Sequence, residues 1–204
     1  EIALQRGDLT LAAKTYFEGG KYESAAQMWT KVLQITPDDQ WAKFGLAKSL
    51  QMQGSIGSLR NAEKLLVDLE KLDWQHPQQG DVKFRVHTAL ATTYSEIADY
   101  YDRDVRVLDN RLQLENSKEA TATLREQKQK QAATRNELLA KSIPYWELVL
   151  KHSNDDPYGL AGLAKANLLL GNDLAGIGYA KRYIQLSHDI MMYVCQPLDD
   201  ATLR

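Results

Sequence analysis

The sequence predicts an all-α fold, a row of helical hairpins stacked side by side with one hairpin drawn out into a long arm. Three observations carry this. Apolar residues recur at spacings of three and four almost throughout, and no stretch alternates apolar with polar long enough to make a half-buried strand. One phrase is written twice, 117 residues apart: WAKFGLAKSLQMQG at 41–54 and YGLAGLAKANLLLG at 158–171 share Gly-Leu-Ala-Lys and a closing Gly. Between Asp81 and Ile143 stands no Gly and no Pro, the mark of long uninterrupted helices.

The first helical stretch runs from Leu9 to Phe17 and the second from Tyr22 to Ile35, with Gly19-Gly20 between them as a left-handed helix stop. Pro37-Asp38-Asp39 ends the second helix and caps a third. From the turn at Gly20, Ala25, Trp29, Val32 and Pro37 follow at successive steps of five, four, three and five residues, and Tyr16 precedes it. Small residues at Ala13 and Ala25 let two helices cross closely, and Trp29 fills the space beside them.

These offsets resemble one unit of the tetratricopeptide repeat, of bacterial type, over residues 6–39. A second unit spans about 40–83, with Leu46-Ala47 as its Leu-small pair, Gly54 as its turn, and Ala62, Leu66 and Leu69 on the packing face. Trp74 and Pro77 are expected to close it. A third unit spans about 84–156, with Leu90-Ala91 and Tyr94. The last spans 157–188, with Leu163-Ala164, Gly171, Gly176, Tyr179 and Tyr183. The resemblance implies a right-handed αα-hairpin solenoid, a single array over 1–204.

The twin phrases lie about 49 residues further apart than two 34-residue units allow. About ten of these fall in the second unit and its 75–80 loop, and the rest in the third unit. There the apolar positions Phe84, Ala91, Tyr94, Ala98, Tyr101, Val105, Leu108 and Leu112, with His87 completing the series, run at heptad spacing, the mark of a seam shared with another helix. A turn is expected at Glu115-Asn116-Ser117, with Asn116 capping a return helix that carries Leu124, Ala132, Leu139, Ile143, Trp146 and Leu150. Pro144 is expected to kink or restart that helix. The pair would project over about 98–138 as an antiparallel coiled-coil-like arm of about 30 Å, tipped by the polar run REQKQKQ.

Composition excludes several activities. A net charge of −2, with basic and acidic residues interspersed, argues against a nucleic-acid partner. No run of eighteen apolar residues exists, so direct membrane insertion is not expected. His76, His87, His152 and His188 are scattered, no phosphate-binding glycine loop or nucleophile elbow occurs, and Cys195 has no signature of an activated thiol. The acidic pairs Asp38-Asp39, Asp155-Asp156 and Asp199-Asp200 stand at helix starts or beside Pro, as caps do. The sequence therefore predicts no catalytic residue, no metal site and no cofactor. A chain opening at Glu1 without a leader reads as an excised piece whose targeting region lies elsewhere, and one cysteine favours the cytoplasm slightly over the periplasm.

What remains is binding. By resemblance to the family, first helices line a concave groove, placing there Lys14, Phe17, Trp41, Phe44, Lys48, Gln51, Met52, Arg85, Thr88, Thr92, Tyr158, Ala161, Lys165 and Leu168. Lys14, Lys48 and Lys165 share one register, and with Trp41, Phe44 and Tyr158 they would suit a protein or peptide with acidic groups and an apolar anchor. The expected function is a non-enzymatic interaction scaffold or adaptor. The arm would be its second contact, or the route to a homo-oligomer, through Tyr101, Val105, Leu108, Leu112 and Leu124. An alternative is a signalling output or self-association module of a larger bacterial regulator, since WTKVLQITPDDQWAKFGLAKSL is similar to repeat segments that follow receiver domains.

Overall fold

The computed structural model describes residues 2–72 and 82–195, with side chains placed over 4–72 and 82–188. Among these residues stand eight α-helices and no strand: α1 (Ile2–Glu18), α2 (Tyr22–Ile35), α3 (Gln40–Gln53), α4 (Ile56–Glu70), α5 (Val82–Leu114), α6 (Lys118–His152), α7 (Pro157–Leu169) and α8 (Asp173–Cys195). Each packs on its neighbours in sequence, and α5 also meets α3 and α7. The chain is all-α. Trp74, Pro77, His76, the 75–80 loop, Asp199-Asp200 and the side chain of Cys195 lie outside the described residues.

The expected punctuation explains where helices begin and end. Gly20, Gly54 and Gly171 adopt φ of 72°, 71° and 81°, a left-handed conformation that costs an L side chain about 1 kcal/mol. Asp39 accepts from the Ala42 amide at 3.0 Å and Asp156 from the Gly159 amide at 2.7 Å, so each aspartate satisfies an orphan donor of a first turn. The long hairpin turns at residues 115–117, but its cap is Ser117 and not Asn116. The Ser117 amide donates to Glu115 Oε1 at 2.8 Å, which holds the turn one residue longer, and Ser117 Oγ accepts from Ala120. Pro144 neither ends nor restarts α6, which continues from Lys118 to His152. Buried Leu139 and Trp146 anchor the turns on either side of the proline.

Two buried tryptophans set how closely the hairpins stack. A Cβ on Gly45 would lie 2.4 Å from Trp29 Cε2, and one on Gly162 would lie 2.3 Å from Trp146 Cε2. The indole of α2 thus lies flat on the glycine of α3, and the indole of α6 on the glycine of α7. Trp146 also donates from Nε1 to Ser95 Oγ at 3.2 Å, which ties α6 to α5. Trp29 shares a small core with Ala13, Val32 and Ala42; Trp146 shares another with Ala91, Val149 and Leu163. Between them Leu59, Leu66, Leu90, Ile97 and Leu139 form the largest core, joining α4, α5 and α6.

The register of α5 against α6 is fixed by charge as well as packing. Asp102 pairs with Arg135 at 2.8 Å, and one heptad on, Asp109 pairs with Lys128. Moving seven residues forward on α5 moves seven back on α6, so the helices run antiparallel. Val105, Leu108 and Leu124 are buried in this pair, while Tyr101 and Leu112 are half-buried. Val105 and Leu108 of α5 and Leu124 of α6 are thus covered within the chain's own helix pair.

Candidate functional site

Continuing the stripe Arg85, Thr88, Thr92 along α5 at the same helical spacing brings up Glu96 and Asp99. Neither was expected at the site, and together they change its electrostatics. Lys165 of α7 pairs with Asp99 at 2.5 Å. On α3, Lys48 donates to Gln51 Oε1 at 2.6 Å, and Gln51 Nε2 reaches the Ala89 carbonyl at 3.5 Å. Burial lowers the Lys48 ammonium below the ordinary lysine range, with Glu96 opposing the shift. Burial likewise raises the Glu96 carboxyl, opposed by Lys48 and Lys165 and reinforced by Asp99. One carboxylate oxygen of Glu96, Oε2, is buried with no hydrogen-bond donor among the described residues. A row of lysines was expected here; the structure instead has lysines of α3 and α7 facing carboxylates of α5.

Beside this polar row opens a cleft of about 1040 Å³. One wall is α5, with Glu96, Asp99, Asp102 and Arg103; the other is α7 and α8, with Ala161, Ala164, Leu168 and Ile184; Gly54 and Leu59 close the end. Gly176 makes the second wall tight, because a Cβ there would lie 2.6 Å from Leu168 Cγ. Glycine at this position is a packing requirement of the α7–α8 pair. Along the α5 wall, Tyr100 donates its hydroxyl to the Gly54 carbonyl and carries Arg103 over its ring at 4.2 Å. Burial acts to raise the Asp102 carboxyl, but hydrogen bonds from Arg135 and Arg106 outweigh it and hold the group below the usual range.

Of the groove residues expected from the sequence, Ala161, Lys165 and Leu168 line this cleft. Phe44 and Gln51 are buried, 8% and 2% exposed, because α5 packs over that face of α3, so neither offers a groove surface. Trp41 is tilted against Phe44, with ring centroids 5.7 Å apart. Phe17 meets Tyr22 edge-on at 5.4 Å. Thr92 spends its hydroxyl on the Thr88 carbonyl. Met52 lies at a separate small depression beside Gly20 and Tyr22. Lys14, Arg85 and Tyr158 are exposed and away from the cleft lining.

Among the described residues no cluster of three or more His, Cys, Asp or Glu side chains has metal-holding geometry. No described helix is long and apolar enough to cross a membrane. No protein-family model matches the chain, and no curated protein matches it either.

Proposed function

We propose that this chain is a non-enzymatic protein-interaction scaffold that takes a peptide segment of a partner into the cleft between α5, α7 and α8. The observation that carries the reading is the cleft itself: an open trough with apolar Leu59, Ala161, Ala164 and Leu168 at its walls and end, and charged side chains beside them. Asp99 pairs with Lys165 and Asp102 with Arg106 and Arg135, which braces the walls, while Glu96 on the same wall keeps a raised carboxyl whose Oε2 has no hydrogen-bond donor among the described residues. In this reading the eight helices are four tetratricopeptide-like hairpins of a right-handed solenoid, and α5 with α6 is the extended third. The arm then stiffens the cleft through Asp102 and offers its exposed polar flank as the second contact.

The groove chemistry differs from the acidic-peptide preference the lysine row implied. With Lys48 held by Gln51 and Lys165 held by Asp99, the apolar walls supply the affinity and the charges supply orientation. Panning a random peptide library displayed on phage against the chain tests this. Enriched peptides should bind the wild type in solution and lose about tenfold or more with Ala161→Arg, which fills the trough. Enrichment of nothing, or of peptides indifferent to Ala161→Arg, contradicts the proposal.

A further inference from the structure

The charged side chains that line the cleft are unequally satisfied. Lys165 pairs with Asp99, Arg106 pairs with Asp102, and Arg103 lies over the Tyr100 ring. Glu96 lines the same wall, yet its Oε2 is buried without a hydrogen-bond donor among the described residues. Such a carboxylate oxygen is costly, because it has lost its water and gained no protein donor in return.

The cations around it do not supply that donor. Lys48 of α3 attracts Glu96 through space, but its ammonium donates to Gln51 Oε1 at 2.6 Å. Lys165 of α7 attracts it as well and pairs with Asp99. Asp99, one turn along α5, repels it, and with burial this keeps the carboxyl raised against the pull of both lysines. An acidic ligand would therefore meet cations already engaged and a carboxylate that repels it. A cationic ligand would meet an acceptor whose capacity is unspent. The terminal torsion of a glutamate is broad and roughly twofold, so either oxygen can turn toward the cleft. Ala161, Ala164 and Leu168 of α7 stand beside it as an apolar wall.

Resting on the reading of this cleft as a peptide groove, we propose that Glu96 selects the peptide. The bound segment carries a lysine or arginine whose charged head pairs with the Glu96 carboxylate, next to an apolar residue that lies on the α7 wall. The free chain leaves this carboxyl poorly satisfied and the ligand completes it, so Glu96 gives to binding what it withholds from stability.

Panning a phage-displayed peptide library against the wild type and against Glu96→Gln in parallel tests this. Peptides enriched on the wild type should share a Lys or Arg next to an apolar residue, and those enriched on Glu96→Gln should not. For one wild-type peptide, replacing its Lys by norleucine or its Arg by citrulline should weaken binding about tenfold, as should Glu96→Gln. Both changes together should still cost only about tenfold, because each removes the same pair. Glu96→Gln should keep or raise its urea midpoint at pH 7, which separates lost binding from lost folding. Peptides that are sensitive to Ala161→Arg but share no cation overturn the role of Glu96 and leave the groove standing. So do losses that multiply to about a hundredfold in the double change. Enrichment of Asp or Glu overturns it in favour of Lys48 and Lys165. Failure to enrich any peptide sensitive to Ala161→Arg overturns this proposal and the groove together.

Discussion

The stacking of hairpins in this fold rests on two glycines pressed against indole rings, and replacing either with alanine measures that contact. In an exposed helix interior Gly→Ala stabilises by about 1 kcal/mol. At Gly45 and Gly162 the added methyl would lie 2.4 and 2.3 Å from the indoles of Trp29 and Trp146, more than 1 Å inside contact distance. Those rings are 3% and 4% exposed, so they have no open side to move into, and Trp146 is also held by Ser95. Overpacking of this kind costs about 2–3 kcal/mol. Net of propensity, each variant should lose about 1–2 kcal/mol, lowering Tm by about 3–8 °C in a chain of this size. Thermal and urea unfolding followed by far-ultraviolet circular dichroism read this directly. Gly7→Ala is the control, since nothing lies within 4 Å of a Cβ there, and it should gain stability. In a Trp146→Leu background, which opens space, Gly162→Ala should change sign and stabilise. If Gly45→Ala and Gly162→Ala are as stable as Gly7→Ala, the packing argument fails.

Three further outcomes follow from the charges and turns. Because burial raises the Glu96 carboxyl, its contribution is fully present below the ordinary glutamate range and is lost as pH rises through the raised value. Glu96→Gln should therefore gain about 1 kcal/mol or less at pH 7, the half-exposed setting damping the effect, and should converge with the wild type near pH 4 in urea titrations; a less stable variant at pH 7 contradicts this. Asp102 has the opposite sign, a depressed carboxyl whose contribution is present above the unfolded value and lost as pH falls through the folded one. Asp102→Asn should lose about 2–3 kcal/mol at neutral pH, with the difference shrinking in acid, and equal urea midpoints at pH 7 would refute the register argument. Gly54→Ala and Gly171→Ala should each cost about 1–2 kcal/mol in the same assay, from positive φ alone; no loss would show that the turns relax freely.

Much of the helical framework was legible because its signals are local. Gly20, Gly54, Asp39, Asp156 and the absence of helix breakers between Asp81 and Ile143 act within a turn or two of themselves, and helix boundaries follow from them. The Gly–Trp contacts were also written in the chain, since Trp29 precedes Gly45 by the same interval as Trp146 precedes Gly162, but the interval carries meaning only once the helices cross. Partner choice was less legible. Lys48 and Lys165 share a register on sequence, yet which carboxylate meets them depends on how α5 lies between α3 and α7. Phe44 and Gln51 share a helix face with Lys48, and only the approach of α5 decides that they are buried. Along α5 the apolar stripe is local, and the turn at 115–117 that brings the return helix back over Val105 and Leu108 was legible in the sequence as well.

The cleft between α5, α7 and α8 is the centre of the functional reading, and hydrogen exchange with a peptide selected by panning locates binding without assuming where it falls. Backbone protection on adding peptide should concentrate over residues 96–106 and 161–184, and Ala161→Arg should abolish it. Protection confined to α2 and the outer face of α4, with 96–106 and 161–184 unchanged, would contradict the assignment of this cleft as the binding site.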